Sequence, residues 1–276
     1  MKTRIISAII AIILAAVILI LNNTIILNIA IALLTFLMLY EVFSAIKCKE
    51  YTATTIICYA FSIAMPLFMF NNLVKYRLLL LVISIFLVFL TYLFYFKTLK
   101  FEKLCVMLTT TILITLSMNS IISIKNSSEN HGLFLLIISL CGAWFADSGA
   151  YFAGTLFGKH KLCPNISPKK TIEGLIGGMI SNAALFVGVT YLYKYICSTN
   201  NQDISFNIFV LIALGVVCCL LGVLGDLSAS LLKRQCNIKD YGNIMPGHGG
   251  ALDRFDSVLF IAPFMYLVTN YIDIIK

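Results

Sequence analysis

Nine stretches of this chain are long and apolar enough to cross a bilayer, and they fix most of what it can fold into. They run Ile5–Leu21, Thr24–Tyr40, Thr52–Phe70, Leu78–Phe96, Leu104–Ile124, Leu133–Gly154, Ile172–Cys197, Asn207–Leu224 (with helix extending toward Leu232) and Ser257–Ile275. A membrane-crossing helix needs about 20 mostly apolar residues. The runs are continuous, whereas a barrel strand would place a polar residue at every second position. The expected fold is all-α: a polytopic integral membrane protein with about nine transmembrane helices. Only 12% of residues are charged, against about 25% in a soluble domain. The first stretch resembles a signal peptide, with two bases before an apolar core. No small-residue cleavage site follows, so it is read as a retained first span.

The formal net charge of +8 does not point to nucleic acid, because the bases punctuate the apolar runs instead of forming one patch. The nine cysteines contain no CxxC and fall mostly inside apolar runs. They read as small apolar residues between helices, not as a disulfide or zinc framework.

Sorted by side, 15 of the 20 bases fall at the N-terminus or in connections after even-numbered spans. Lys75, Arg77, Lys125, Lys194 and Lys276 fall opposite. The positive-inside rule then places the N-terminus in the cytoplasm. The whole chain, 1–276, reads as one membrane domain. Residues 1–125 form an N-terminal helical bundle with no acid deep in a span, and residues 126–276 carry the unusual chemistry.

That chemistry centres on Lys233–Asp256, KRQCNIKDYGNIMPGHGGALDRFD. Carboxylates in or near spans are costly and mark candidate sites; here they are Asp147, Asp226, Asp253 and Asp256. Asp226 closes the eighth run. Asp253 and Asp256 are expected to open the ninth, on one helical face at i, i+3 spacing. Carboxylates from neighbouring helix ends suit one or two hard cations such as Mg²⁺. Helix capping, or a salt bridge to Arg254, remains an alternative for Asp253 and Asp256.

Gly247, Gly249 and Gly250 let backbone N–H groups approach an anion before a helix start. Lys233, Arg234, Lys239 and Arg254 add positive charge, although anchoring to anionic lipid competes for Lys233 and Arg234. Metal-binding acids beside anion-binding backbone describe a metal–polyphosphate site. His248 reads as a positioning or hydrogen-bonding group.

Upstream, SPKKT reads as a helix start, with Ser167 as cap, Pro168 in the first turn and Glu173 closing it. Lys169 and Lys170 then sit where a phosphate would meet them. Asp147 lies in a helix whose Gly149, Ala150, Ala153 and Gly154 allow close packing.

Ser230–Asp256 resembles the signature of the phosphatidate cytidylyltransferase (CDP-diacylglycerol synthase) family: a Ser, Lys-Arg, Lys-Asp, PGHGG and D-R-apolar-D. Met245 and Ala251 stand where larger aliphatics are expected. The closely matching region is about 140–257. The resemblance implies transfer of the cytidylyl group of CTP to phosphatidate, giving CDP-diacylglycerol and pyrophosphate with Mg²⁺. It implies Asp226, Asp253 and Asp256 at the metal, and Lys233, Arg234, Lys239, Lys169 and Lys170 holding phosphates. Ser167 and Asp147 would line the cleft. It also implies a homodimer in a bacterial cytoplasmic (inner) membrane, with the site facing the cytoplasm.

Two rivals are weighed against it. A CTP-dependent polyprenol kinase would share metal and bases, but the full Lys-Arg to D-R-F-D series favours the cytidylyltransferase. A cation transporter would place charge near the midplane and show internal repeats.

Overall fold

The computed structural model describes residues 10, 13–21, 24–48, 50–201, 204–242, 249–272 and 274–275. Gly247 and His248, both singled out above, lie outside the described residues, as does most of the segment before residue 13.

Helices form at the apolar runs, as expected where backbone groups have no water to bond. They are α1 (Ile26–Ala45), α2 (Thr52–Phe68), α3 (Arg77–Phe94), α4 (Phe101–Asn126), α5 (Gly132–Phe157), α6 (Ile172–Thr199), α7 (Ile208–Gln235), α8 (Leu252–Phe255) and α9 (Val258–Tyr271). Residues 13–20 are also helical. Among the described residues six helices are long and apolar enough to cross a membrane; α2 and α9 are shorter apolar helices.

Four expectations need correction. The chain is nearly all-α, not wholly so: β1 (Lys161–Cys163) and β2 (Ser167–Thr171) pair as an antiparallel hairpin. SPKKT is therefore strand, and Ser167 caps no helix. Thr171 is the cap, its hydroxyl accepting from Gly174 N–H at 3.1 Å. The two residues compete because either can cap; the strand pairing of 167–171 moves the start to the later one. Third, Asp253 and Asp256 do not share one helix. Helix α8 ends at Phe255, a turn holds Asp256 and Ser257, and α9 starts at Val258. Asp256 Oδ1 accepts the N–H of Ser257 at 2.8 Å, a local bond that competes with helix continuation. Fourth, α1 runs past Tyr40 and carries Glu41, an acid within the N-terminal bundle that is only 2% exposed.

The chain divides into two compact units, 1–122 with 235–255, and 123–234 with 256–276. In the first, α1, α2 and α3 pack in sequence. Asn28 Nδ2 donates to Pro66 O at 2.8 Å, tying α1 to α2. Thr54 and Thr91 hydroxyls pair at 2.9 Å, tying α2 to α3. Phe36, Tyr40, Phe43 and Tyr59 form an aromatic cluster. Helix α3 keeps Leu78, Phe86, Leu93 and Phe94 about 70% exposed, an apolar surface that suits lipid, not water.

In the second unit α5 and α6 lie unusually close. A side-chain carbon on Gly177 would collide with Ala153 Cβ, and one on Gly149 with Ser181 Oγ. Small residues on both faces let the helices approach. Asn182, fully buried, donates from Nδ2 to Gly215 O at 2.8 Å and joins α6 to α7. The protein is an integral membrane protein.

Candidate active site

In the second unit, two helices, a turn and the hairpin each deliver a charge to one place. Asp147 projects from α5, Asp226 from the last third of α7, and Asp256 from the turn before α9. Gly225 makes this convergence possible, because a side-chain carbon there would strike the backbone carbonyl of Asp256. Lys170, on β2, forms an ion pair with Asp226, Nζ to Oδ2 at 2.5 Å, with about a quarter of each side chain exposed. Ser257 Oγ bridges the acids, donating toward Asp147 Oδ2 at 3.3 Å and lying 3.4 Å from Asp256 Oδ1.

Asp256 is buried, 7% exposed. Burial first, and then the Asp226 carboxylate, push its carboxyl up to about 7; Asp147 adds to the rise. The Ser257 N–H and Lys233 work the other way. The acids therefore outweigh the bases that face them, and the charged form of Asp256 is favoured by any further cation.

This gives a stability test in chelator-treated protein. The folded state holds the Asp256 proton to about pH 7, while the unfolded chain releases it near 3.8. The contribution is thus complete below about pH 4 and lost as pH rises through 7. Thermal unfolding of Asp256→Asn should show a smaller loss across that window than the natural protein. Equal losses in both would contradict the assignment.

Other expected site residues fall nearby in the same unit. Arg234 Nε donates to Ile166 O at 3.5 Å, linking α7 to the hairpin. Lys169 is exposed on β2 beside the half-buried Lys170. Ser167 is half-buried at the start of β2.

The hairpin itself is latched by Glu173. Its carboxylate accepts the N–H groups of Lys159 and His160 and meets His160 Nδ1 at 2.7 Å.

The remaining candidates belong to the first unit. Asp253 Oδ2 accepts the N–H of Tyr241 at 2.9 Å and of Gly250 at 3.0 Å. Gly249 has φ +89°, a conformation that requires glycine. Gly250 is buried, and Lys239 and Arg254 are exposed. Two participants escaped sequence reasoning: Ser257, which adjoins Asp256, and Glu41, which reads as an ordinary charge at the end of an apolar run.

Among the described residues no three acidic, His or Cys side chains stand close enough together to hold one metal ion. Mg²⁺ does not require such a cage, because it commonly takes one or two protein carboxylates plus waters and substrate phosphates. Asp226 and Asp256, beside Lys170 and Lys233, fit that pattern.

The chain matches the model of the cytidylyltransferase family over residues 2–272. It is 42% identical over 142 residues to a phosphatidate cytidylyltransferase of Staphylococcus haemolyticus, covering 51% of each chain. The Haemophilus influenzae protein of that name is 46% identical over 134 residues, 49% of this chain and 45% of the relative. The Bacillus subtilis protein is 38% identical over 172 residues, 62% of this chain and 60% of the relative. The chain thus spans about half the length of the curated relatives it matches.

Proposed function

The chain belongs to the cytidylyltransferase family, and from that premise we propose that it transfers the cytidylyl group of CTP to phosphatidate, giving CDP-diacylglycerol and pyrophosphate. The observation that carries this reading is the convergence of Asp147, Asp226 and Asp256 with Lys170 and Lys233. Acids for a metal and bases for phosphate are what the joining of two anions needs.

An oxygen of the lipid phosphate bonds to the α-phosphorus of CTP. The bond from that phosphorus to the oxygen bridging to the β-phosphate breaks, and pyrophosphate leaves with the electron pair. Lys170, Lys233 and Arg234 hold the phosphates and offset their repulsion; Lys169, Lys239 and Arg254, all exposed, add positive charge. Asp147, Ser167 and the backbone of Gly249 orient the substrates, as do Gly247 and His248; the Gly250 amide is taken by Asp253. Asp226 and Asp256 would hold Mg²⁺, and Asp253, three residues before Asp256 in the sequence, would hold a second ion. When bound, the ion supplies positive charge to the triphosphate and its leaving group. A phosphate monoester is largely dianionic near neutrality, with a second pKa of about 6. The attacking group therefore needs no strong base, and catalysis is mainly positioning and charge stabilisation.

The same reading includes nine spans, a cytoplasmic N-terminus and a site facing the cytoplasm of a bacterial inner membrane. It is supported by the helices at the apolar runs and by the bias of bases to one side. A homodimer is part of it. Purified protein should release pyrophosphate only when CTP and phosphatidate are both present. Chelator should stop the reaction and Mg²⁺ should restore it; turnover unaffected by chelator would remove the metal from the proposal.

A further inference from the structure

Glu41 is a charge that the proposed reaction leaves unused. It lies near the end of α1, 2% exposed. A buried carboxylate is costly unless hydrogen bonds meet its charge. Here both oxygens are met by backbone: Oε1 accepts the N–H of Ala251 at 2.8 Å, and Oε2 accepts that of Leu252 at 2.9 Å. One bond per oxygen fixes the orientation of the chain as well as its distance.

The glycines around this segment are shaped to the same group. A side-chain carbon on Gly250 would lie 2.5 Å from each Glu41 oxygen, and one on Gly242 would lie 2.6 Å from Oε1. The anion that Gly250 accommodates in this structure is therefore the protein's own carboxylate. Asp253 completes the arrangement by accepting from Tyr241 and Gly250. Three successive amides, of residues 250–252, and that of Tyr241 are thus committed to two carboxylates.

We propose that Glu41 is a positioning residue for the reaction: it sets the backbone of Gly250–Asp253, and through that backbone the carboxylate of Asp253. This rests on the function proposed above. Glu41 touches no substrate. Its effect arises because small misplacements of a reacting group cost large factors in rate.

Glu41→Gln tests the idea. The amide keeps the shape but offers one acceptor, and its NH₂ faces the second backbone donor. Residues that orient a ligand typically contribute about 10- to 100-fold. The variant should therefore lose about that factor in kcat, with KM for CTP moved less than about threefold, since CTP binding is not what it alters. Hydrogen exchange at the Ala251 and Leu252 amides should accelerate. Glu41→Asp, which retains the charge but falls one methylene short, carries the same comparison if the first variant does not fold.

Unchanged kcat in a natural-activity background would overturn the proposal, whatever the amides do. A loss of activity that only tracks loss of folded protein would also overturn it. If the natural protein makes no CDP-lipid, the proposed function fails instead. Amide exchange in Glu41→Gln then still decides the anchor: faster exchange supports it, and unchanged exchange removes it.

Discussion

Asp226→Asn is expected to give a folded, membrane-inserted protein whose CDP-lipid synthesis is slower by roughly 10³-fold, the scale seen when one preorganised charge-stabilising group is removed. The substitution changes almost no volume, and an amide oxygen can still accept from Lys170. What it removes is the negative charge between Lys170 and Asp256. Two consequences follow for the site. Lys170 loses its ionic partner at 2.5 Å, and Asp256 loses the neighbouring carboxylate that helps raise its pKa. The first costs stability, although less than the ~3–5 kcal/mol of a fully buried pair, because both groups are partly exposed. The second recovers some of that cost. The stability change should therefore be small beside the change in rate. Comparable activity in the variant and the natural protein would mean that Asp226 serves only to hold Lys170.

Asp253→Asn separates two roles of one side chain. In the structure Asp253 closes the loop by accepting two backbone N–H groups with Oδ2. An asparagine carbonyl can take both, so the loop should survive and unfolding should be nearly unchanged. The charge does not survive, and CTP turnover should fall by roughly 10³-fold if Asp253 is a metal ligand. Asp253→Ala removes both functions. It should add a stability loss of about 1–3 kcal/mol from the unmet amides. Near-normal turnover in Asp253→Asn, together with destabilisation in Asp253→Ala, would assign the residue to loop closure alone.

The helices were legible because each apolar run is an almost self-sufficient signal: in a bilayer, the backbone of such a run has to bond to itself. Their limits were less so. The apolar run gives a span ending at Tyr40, yet helix α1 continues through Glu41 to Ala45. The carboxylate is met by amides 210 and 211 residues away, a pairing that no local pattern announces. SPKKT shows the opposite difficulty. Ser-Pro is a fair local helix start, but Ser167–Thr171 pairs with Lys161–Cys163, and Thr171 caps the helix instead.

Asp147, Asp226 and Asp256 were each conspicuous as acids in apolar surroundings. Their convergence depends on the small residues that bring α5 to α6 and on Gly225 beside Asp256. The Ser257 bridge was hidden in plain view, since a serine after an aspartate is unremarkable until both face Asp147.

The proposed reaction breaks CTP at its α-phosphorus and passes the cytidylyl group to a lipid phosphate. Purified protein given phosphatidate, Mg²⁺ and CTP labelled at either the α- or the γ-phosphate tests it directly. The α-label is expected to enter the lipid product and the γ-label to leave as pyrophosphate. Recovery of γ-label in the lipid, with α-label remaining in CDP, would contradict it and identify a kinase.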